Sequence, residues 1–317
     1  MNGINSDADN LTSLLSRLTV GFDELAEPRQ DDVPDMSDDD DEPTLGGGAA
    51  VKRVTFEDGT EGPEPDVVDR FEVRVGARTD VGTKLTSNED AMLVLPEVGL
   101  YAVADGMGGH TGGEIASQLA VEAIARTFSD PAPSPLVMLN LPPQATQIVQ
   151  GIAAANEAIR SMAARTPWRS EMGTTVVALR FAPEKGHVYV AHVGDSRCYR
   201  LRAGKLEQLT HDHTMAEFGV SGKEARRLSR AVGSNGIVEA DLTIVAPRSG
   251  DVFLLCSDGL TKALGEPEII AILDEEPDPD TAARALVARA RELLARDNVT
   301  VVIARVTERL KRPSSSP

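Results

Sequence analysis

From about Phe71 onward the chain is a succession of short apolar runs with strand character, and they do not alternate with helices. "FEVRVGART" alternates apolar and polar side chains, as a half-buried strand does. "AMLVL", "GLYAVA", "GTTVVALRF", "HVYVAHVG", "RCYRLRAG", "KLEQLT", "DLTIVA", "DVFLLCS" and "NVTVVIARV" follow, separated by Gly, Pro or Asn turns. "YRLRAGKLEQLT" reads as a hairpin folded about Ala203-Gly204. Helical spacing is confined to three stretches: about Glu114–Phe128, about Ala145–Ala164 and about Pro279–Arg296. The first two helices stand together between strands. A doubly wound parallel sheet needs one helix per crossover, whereas stacked antiparallel sheets carry helices on the outside. The fold class expected is therefore α+β, a central antiparallel β-sandwich with helices outside. A chain of 317 residues that is 41% hydrophobic can bury a sizeable core, and at 3% aromatic that core is mainly Ala, Val, Leu and Ile.

Charge divides the chain. Residues 1–70 hold 19 acids and 5 bases, and residues 71–317 hold 31 acids and 27 bases. The segment 28–70, with "DDVPDMSDDDDEPTLGGGAA", reads as disordered, because it combines a charge block, prolines and a glycine run with few apolar groups. Before it, "LTSLLSRLTVGFDELAE" suits a short amphipathic helix. The domains expected are an acidic leader over 1–70, a folded body over 71–307 and a short flexible tail over 308–317. The leader serves either as a solubilising segment or as a docking segment. The near-balanced body offers no basic patch for nucleic acid. No run of 18 apolar residues marks a membrane span, and the N-terminus lacks the basic start and unbroken apolar stretch of a signal peptide. Cys198 and Cys256 are too far apart for a CxxC motif. These features point to a cytoplasmic protein, and nothing demands more than a monomer.

Chemistry concentrates where acids meet the ends of apolar runs. Asp105 follows "LYAVA", Asp195 follows "VYVAHVG" and Asp258 follows "VFLLCS". Asp297-Asn298 precedes "VTVVIA", and Glu89-Asp90 precedes "AMLVL". Each alone is ordinary turn chemistry. If the strands converge, the carboxylates form a cluster that repels itself unless cations neutralise it, and hard ions such as Mg²⁺ and Mn²⁺ take such oxygen ligands. The stretch "VADGMGGHTGGEIAS" also has the strand, glycine turn and helix of a phosphate cradle. A P-loop needs Gly-Lys-Ser/Thr, and no Lys lies between Lys84 and Lys185. A Rossmann loop needs a third glycine where Thr111 stands, and a βαβ unit that the order of elements does not supply. His211 and His213 in "HDHT" tempt as a metal pair, although nitrogen ligands suit zinc better than this oxygen-rich set. Cys256 reads as a small buried hydrophobe.

The segments "TDVGTKLTSNEDAMLV", "LYAVADGMGGHTGGEIAS", "GTTVVALRF", "VYVAHVGDSRCYRLRAGKLEQLTHDHT", "LSRAVG", "GDVFLLCSDGLTKAL" and "RDNVTVVIARV" occur in an order that resembles the metal-dependent Ser/Thr protein phosphatases of type 2C, in their bacterial form. The resemblance runs from about residue 71 to 307. It implies a four-layer αββα sandwich with a metal cleft at one end. It also implies two Mn²⁺ or Mg²⁺ ions, with a third more weakly held. By motif, Asp105 matches the carboxylate that bridges the two ions. Gly106 matches the residue that lends one of them its carbonyl, and Glu89 matches the acid on that same ion. Asp258 and Asp297 match the acids on the other ion, Asp90 the acid that holds metal-bound water, and Asp195 with Asp258 the third site. Water shared by two divalent ions becomes hydroxide-like near neutral pH and attacks phosphorus in line. His110 is a candidate proton donor to the leaving oxygen, with a backbone-bonded turn histidine as the alternative.

Two positions depart from the family pattern. The arginine expected three residues before Asn88 is Leu85, and Lys84 beside it is at most a weak substitute, because neighbours in a strand face opposite ways and lysine lacks the planar fork of arginine. The flap "MAEFGVSGKEARR" is short. The partners implied are phosphorylated proteins and an opposing Ser/Thr kinase. The alternative is a weak or inactive phosphatase fold that binds phosphoproteins and acts through its leader.

Overall fold

The structure, a computed structural model, describes residues 49–56, 71–129, 141–166, 172–234 and 236–308. The rest of the leader, including its expected helix, and the tail from 309 lie outside the described residues. Among the described residues, twelve strands make two sheets. The first contains β1 (Ala49–Phe56), β3 (Asp90–Leu95), β4 (Leu100–Met107), β5 (Gly173–Thr174), β6 (Val176–Ala182), β7 (His187–Val193) and β10 (Val238–Val245), in the order β1-β10-β7-β6-β4-β3 with β5 on the end of β4. The second contains β2 (Phe71–Asp80), β8 (Arg197–Arg202), β9 (Lys205–Gln208), β11 (Val252–Cys256) and β12 (Val299–Glu308), in the order β2-β12-β11-β8-β9.

Local sequence explains the hairpins. Both β3–β4 and β6–β7 turn through Pro-Glu-x-Gly, at Pro96–Gly99 and Pro183–Gly186. Proline presets the first φ, and the glycine takes φ of 63° and 65° and returns its N–H to the proline carbonyl at 3.1 Å in both. The β8–β9 hairpin closes at Ala203-Gly204, where both residues have positive φ, as the sequence leads one to expect.

Pairing is antiparallel apart from β1, which runs parallel to β10 from Ala49 opposite Val238 to Phe56 opposite Ile244. This corrects the sequence reading, which put residues 49–56 in a disordered leader. "AAVKRVTF" carries Val51, Val54 and Phe56, and the partner edge that orders them is nearly two hundred residues away, out of reach of a local pattern.

The two sheets face each other across a core that includes Tyr101, Val103, Leu179 and Phe181 on one side and Phe253, Leu255 and Val302 on the other. Phe181 meets Phe71, Tyr101 and Phe253 edge to face, with centroids 5.7, 6.1 and 5.6 Å apart. Helices α1 (His110–Ser129) and α2 (Pro143–Arg165) cover the first sheet. α3 (Asp258–Ala263), α4 (Glu266–Glu275) and α5 (Pro279–Glu292) pack Leu260, Ile269, Leu273, Leu286 and Ala290 against Leu254, Val301 and Ile303 of the second. The layers are helix, sheet, sheet, helix.

Candidate metal centre

Antiparallel neighbours place the end of one strand beside the start of the next, and this alternation gathers the acids. Asp90 opens β3 directly opposite Asp105 near the end of β4. Cys256, the last residue of β11, stands opposite both Val301 of β12 and Arg197 of β8. Asp258 lies just beyond that end, and Asp297 and Asp195 just before those two starts. One edge of the sandwich therefore receives Asp90 and Asp105 from one sheet and Asp195, Asp258 and Asp297 from the other.

Their mutual influence shows that they converge. Burial lifts the Asp105 carboxyl well above the usual carboxylate range, and Asp90, Asp258, Asp297 and Asp195 each raise it further. Burial pushes Asp90 to about 7, with Asp258 and Asp297 adding to the shift while Thr300 and Ser257 oppose it. Burial also pushes Asp195 to about 7, aided by Asp258 and Asp212. Asp258 is raised chiefly by burial, against the pull of Lys262. Asp90 Oδ1 and Asp258 Oδ1 are buried without a hydrogen-bond partner. Lys262 Nζ reaches Asp297 Oδ2 at 2.9 Å and also touches Asp258 Oδ2. Lys262 and Arg197 both favour the ionised form of Asp258, yet burial still raises it and its neighbours. Buried carboxylates with orphaned oxygens and no nitrogen or sulfur donor among them fit hard divalent cations.

Glu89 joins the same edge. Its N–H donates to Asn298 Oδ1 at 2.7 Å, and its carbonyl accepts from Gly106 N at 3.0 Å. Gly106 and Gly113 explain the glycine-rich turn. A Cβ on Gly106 would strike the Gly113 carbonyl, and one on Gly113 would strike the Glu89 carboxylate. The start of α1 thus lies against β4 and Glu89, which side chains at either glycine would forbid.

Several residues that frame the centre escaped the sequence reading. Ser257 Oγ donates to Asp90 Oδ2 at 2.7 Å and accepts from Thr300 N at 3.0 Å. Thr175 exchanges bonds with the Asp105 backbone, N to O at 2.9 Å and Asp105 N to Oγ1 at 3.0 Å, and its hydroxyl also pairs with Ser196 at 2.7 Å. Asn298 Nδ2 donates to the carbonyls of Val81 at 3.0 Å and Ser87 at 3.1 Å, which holds the β2–β3 loop in place. Lys262 escaped it too, since its i+4 spacing from Asp258 carries a signal only once residues 258–263 are known to be helical.

His110 begins α1, and its side chain lies outside the described residues. Lys84 is exposed, whereas Leu85 lines a cleft of about 970 Å³ together with Asp195, Asp258 and Asp297. The flap forms two short 3-10 turns, Met215–Phe218 and Gly222–Arg226, and gives Ala216 and Arg226 to the cleft wall.

The pair His211 and His213 does not form a metal site: His211 is exposed and His213 is fully buried. His213 stacks instead on His192, centroids 4.5 Å apart, beside Asp241. The N–H of Gly194 donates to His213 Nδ1 at 3.1 Å, so the ring proton sits on Nε2, which faces Asp241 Oδ2 at 3.4 Å. A protonated nitrogen is not a ligand, and Arg230 donates to Asp241 Oδ1 at 2.8 Å. This cluster is a buried polar contact set tied together by the Gly194, His211 and Arg230 bonds, with His213 Nε2 and Asp241 Oδ2 in contact but not hydrogen-bonded. Cys198 and Cys256 are free and buried, as expected for Cys256.

The chain matches the family described as Protein phosphatase 2C over residues 83–296. It is 35% identical over 246 residues to the serine/threonine protein phosphatase PstP of Mycobacterium tuberculosis, covering 74% of this chain and 45% of that protein. It therefore spans about half the length of that relative. It is 34% identical over 240 residues to the serine/threonine phosphatase stp of Listeria welshimeri, covering 71% of this chain and 93% of that protein. Among solved structures, the catalytic domain of PstP in complex with 2 manganese ions superposes with a TM-score of 0.65 at 35% identity, covering 75% of this chain and 100% of that one.

Proposed function

The chain belongs to the protein phosphatase 2C family, and from that premise we propose that it is a metal-dependent protein serine/threonine phosphatase that hydrolyses phosphoserine and phosphothreonine by direct attack of water. The observation that carries this reading is the gathering of five aspartates from both sheets, two with unpartnered buried oxygens and three on the cleft wall.

Asp105 would bridge two Mn²⁺ or Mg²⁺ ions, with Glu89 and the Gly106 carbonyl on one and Asp258 and Asp297 on the other. Asp195 with Asp258 would form a weaker third site. Divalent ions held there would supply an acidified water as nucleophile and positive charge opposite the phosphoryl oxygens. Asp90 has one oxygen fixed by Ser257 and the other without a partner, so it is set to accept a proton from that water. The Thr175 bonds hold the backbone of Asp105 in place, and the Asn298 bonds hold Glu89 beside it. Lys262, between Asp258 and Asp297 on the cleft wall, brings a cation to the place where phosphate arrives. His110 would protonate the leaving Ser or Thr oxygen. The substrates are phosphoproteins, and the enzyme opposes a bacterial Ser/Thr kinase in the cytoplasm.

p-Nitrophenyl phosphate tests the reading. Hydrolysis is expected to require Mn²⁺ or Mg²⁺, to stop in EDTA, and to fall by about three orders of magnitude in Asp105→Asn. Purified protein inert with both metals would leave the scaffold reading, which the absence of arginine at Leu85 favours.

A further inference from the structure

We propose that the cleft carries an apolar shelf, Leu85 with Leu293 and Leu294, that selects phosphoproteins with a large aliphatic side chain close to the phosphorylated residue. The proposal rests on the phosphatase reading and names a substrate class for that same site.

The shelf is built where local folding would choose otherwise. After α5, Ala295 N donates to Ala290 O at 2.9 Å and Leu294 N to Arg291 O at 2.9 Å. These nested bonds end a helix in a Schellman turn, whose left-handed position glycine normally takes. Here that position is Leu294, with φ of 59°. Leu294 is 69% exposed and Leu293, just before it, is 42% exposed. The fold gains nothing from an exposed leucine in a conformation that disfavours it, and such positions cluster at functional sites. Both leucines line the cleft that also holds Asp258 and Asp297, and Leu85 lines it too.

The shelf is also held in place. Thr83, two residues before Leu85, donates to the Ala295 carbonyl through both its N–H and its Oγ1, each at 2.8 Å. The loop that carries Leu85 and the turn that carries Leu294 are therefore joined. A rigid apolar surface beside the acids loses water favourably when an aliphatic side chain covers it. An extended peptide advances about 3.3 Å per residue, so a side chain within about three positions of the phosphorylated residue reaches the same cleft.

The test uses phosphothreonine peptides in which each of the three positions on either side of the phosphothreonine is changed in turn from Ser to Leu. One of them is expected to exceed the all-Ser peptide by about tenfold in kcat/KM, the scale of discrimination an apolar pocket provides. Leu294→Gly is expected to bring that ratio within about twofold. Glycine suits the positive φ, so the melting temperature does not fall, and a ratio between two peptides on one enzyme is independent of total activity. Equal rates for all peptides on the unaltered protein, or a preference that survives Leu294→Gly and the double variant Leu293→Ser/Leu294→Gly, would overturn the shelf. p-Nitrophenyl phosphate with Mn²⁺ separates the two failures. Turnover of that substrate with no peptide preference removes the shelf alone, and no turnover removes the phosphatase reading and the shelf with it.

Discussion

Ser257 lies between a buried cysteine and a buried-edge acid, and its hydroxyl joins the two sheets: it donates to Asp90 of the first and accepts from Thr300 of the second. Replacing it with alanine leaves Asp90 without a donor that favours its ionised form and leaves Thr300 N without an acceptor. Ser257→Ala is expected to cost about 1–3 kcal/mol in urea unfolding and to weaken Mn²⁺ affinity about tenfold or more in a direct titration. The acids themselves were legible in the sequence, because a charge at the end of an apolar run is conspicuous. Ser257, Thr175 and Asn298 were not. A hydroxyl or amide in a strand end has no signature until the opposing strand is known. Leu85 departs from the family pattern, and its place in the cleft gives that departure a surface to belong to.

At the scale of elements, hairpins and long helices followed from turn chemistry and periodicity, while pieces with distant partners did not. β1 needs the edge of β10, and α3 and α4 are too short for periodicity to register. The network around His213 also links separate elements. Its backbone N–H and its ring hold Gly194 from both sides, at 3.0 and 3.1 Å, in the turn between β7 and β8, and Asp241 of β10 connects it to Arg230. Burial lowers the His192 pKa to about 4, from an ordinary value of 6.5. Below pH 6.5 the unfolded chain takes up a proton that the folded ring refuses, so the neutral histidine contributes stability that is lost as pH falls from about 6.5 to about 4. The loss approaches about 3 kcal/mol. His192→Asn is expected to remove this term. The check is the difference in urea midpoint between the two proteins from pH 7 to pH 4, in which titrations common to both cancel.

Across the whole molecule the acids set an opposite slope. Asp90 and Asp195 keep their protons to about pH 7 in the fold, against an ordinary value of 3.8. Without divalent ions the folded state therefore holds protons that the unfolded state has released, and stability falls as pH rises between those values. Ions that replace the protons reverse this, and they bind more tightly as the protons leave. The gap in melting temperature between protein in Mn²⁺ and protein in EDTA is expected to widen from pH 5 to pH 8. A constant gap would mean that the acids do not exchange protons for ions. Stacked antiparallel sheets were inferred from the lack of helix alternation, but not which sheet each strand joins: β2 and β3 are consecutive in the chain and lie in different sheets. That division has a mechanical result. The acids of one cluster are shared between two layers that touch mainly through apolar side chains, and such contacts resist separation more than sliding. Ions held among them would act as a rivet at one end of a laminate, and a slip between the layers would register as loss of metal well before either sheet comes apart.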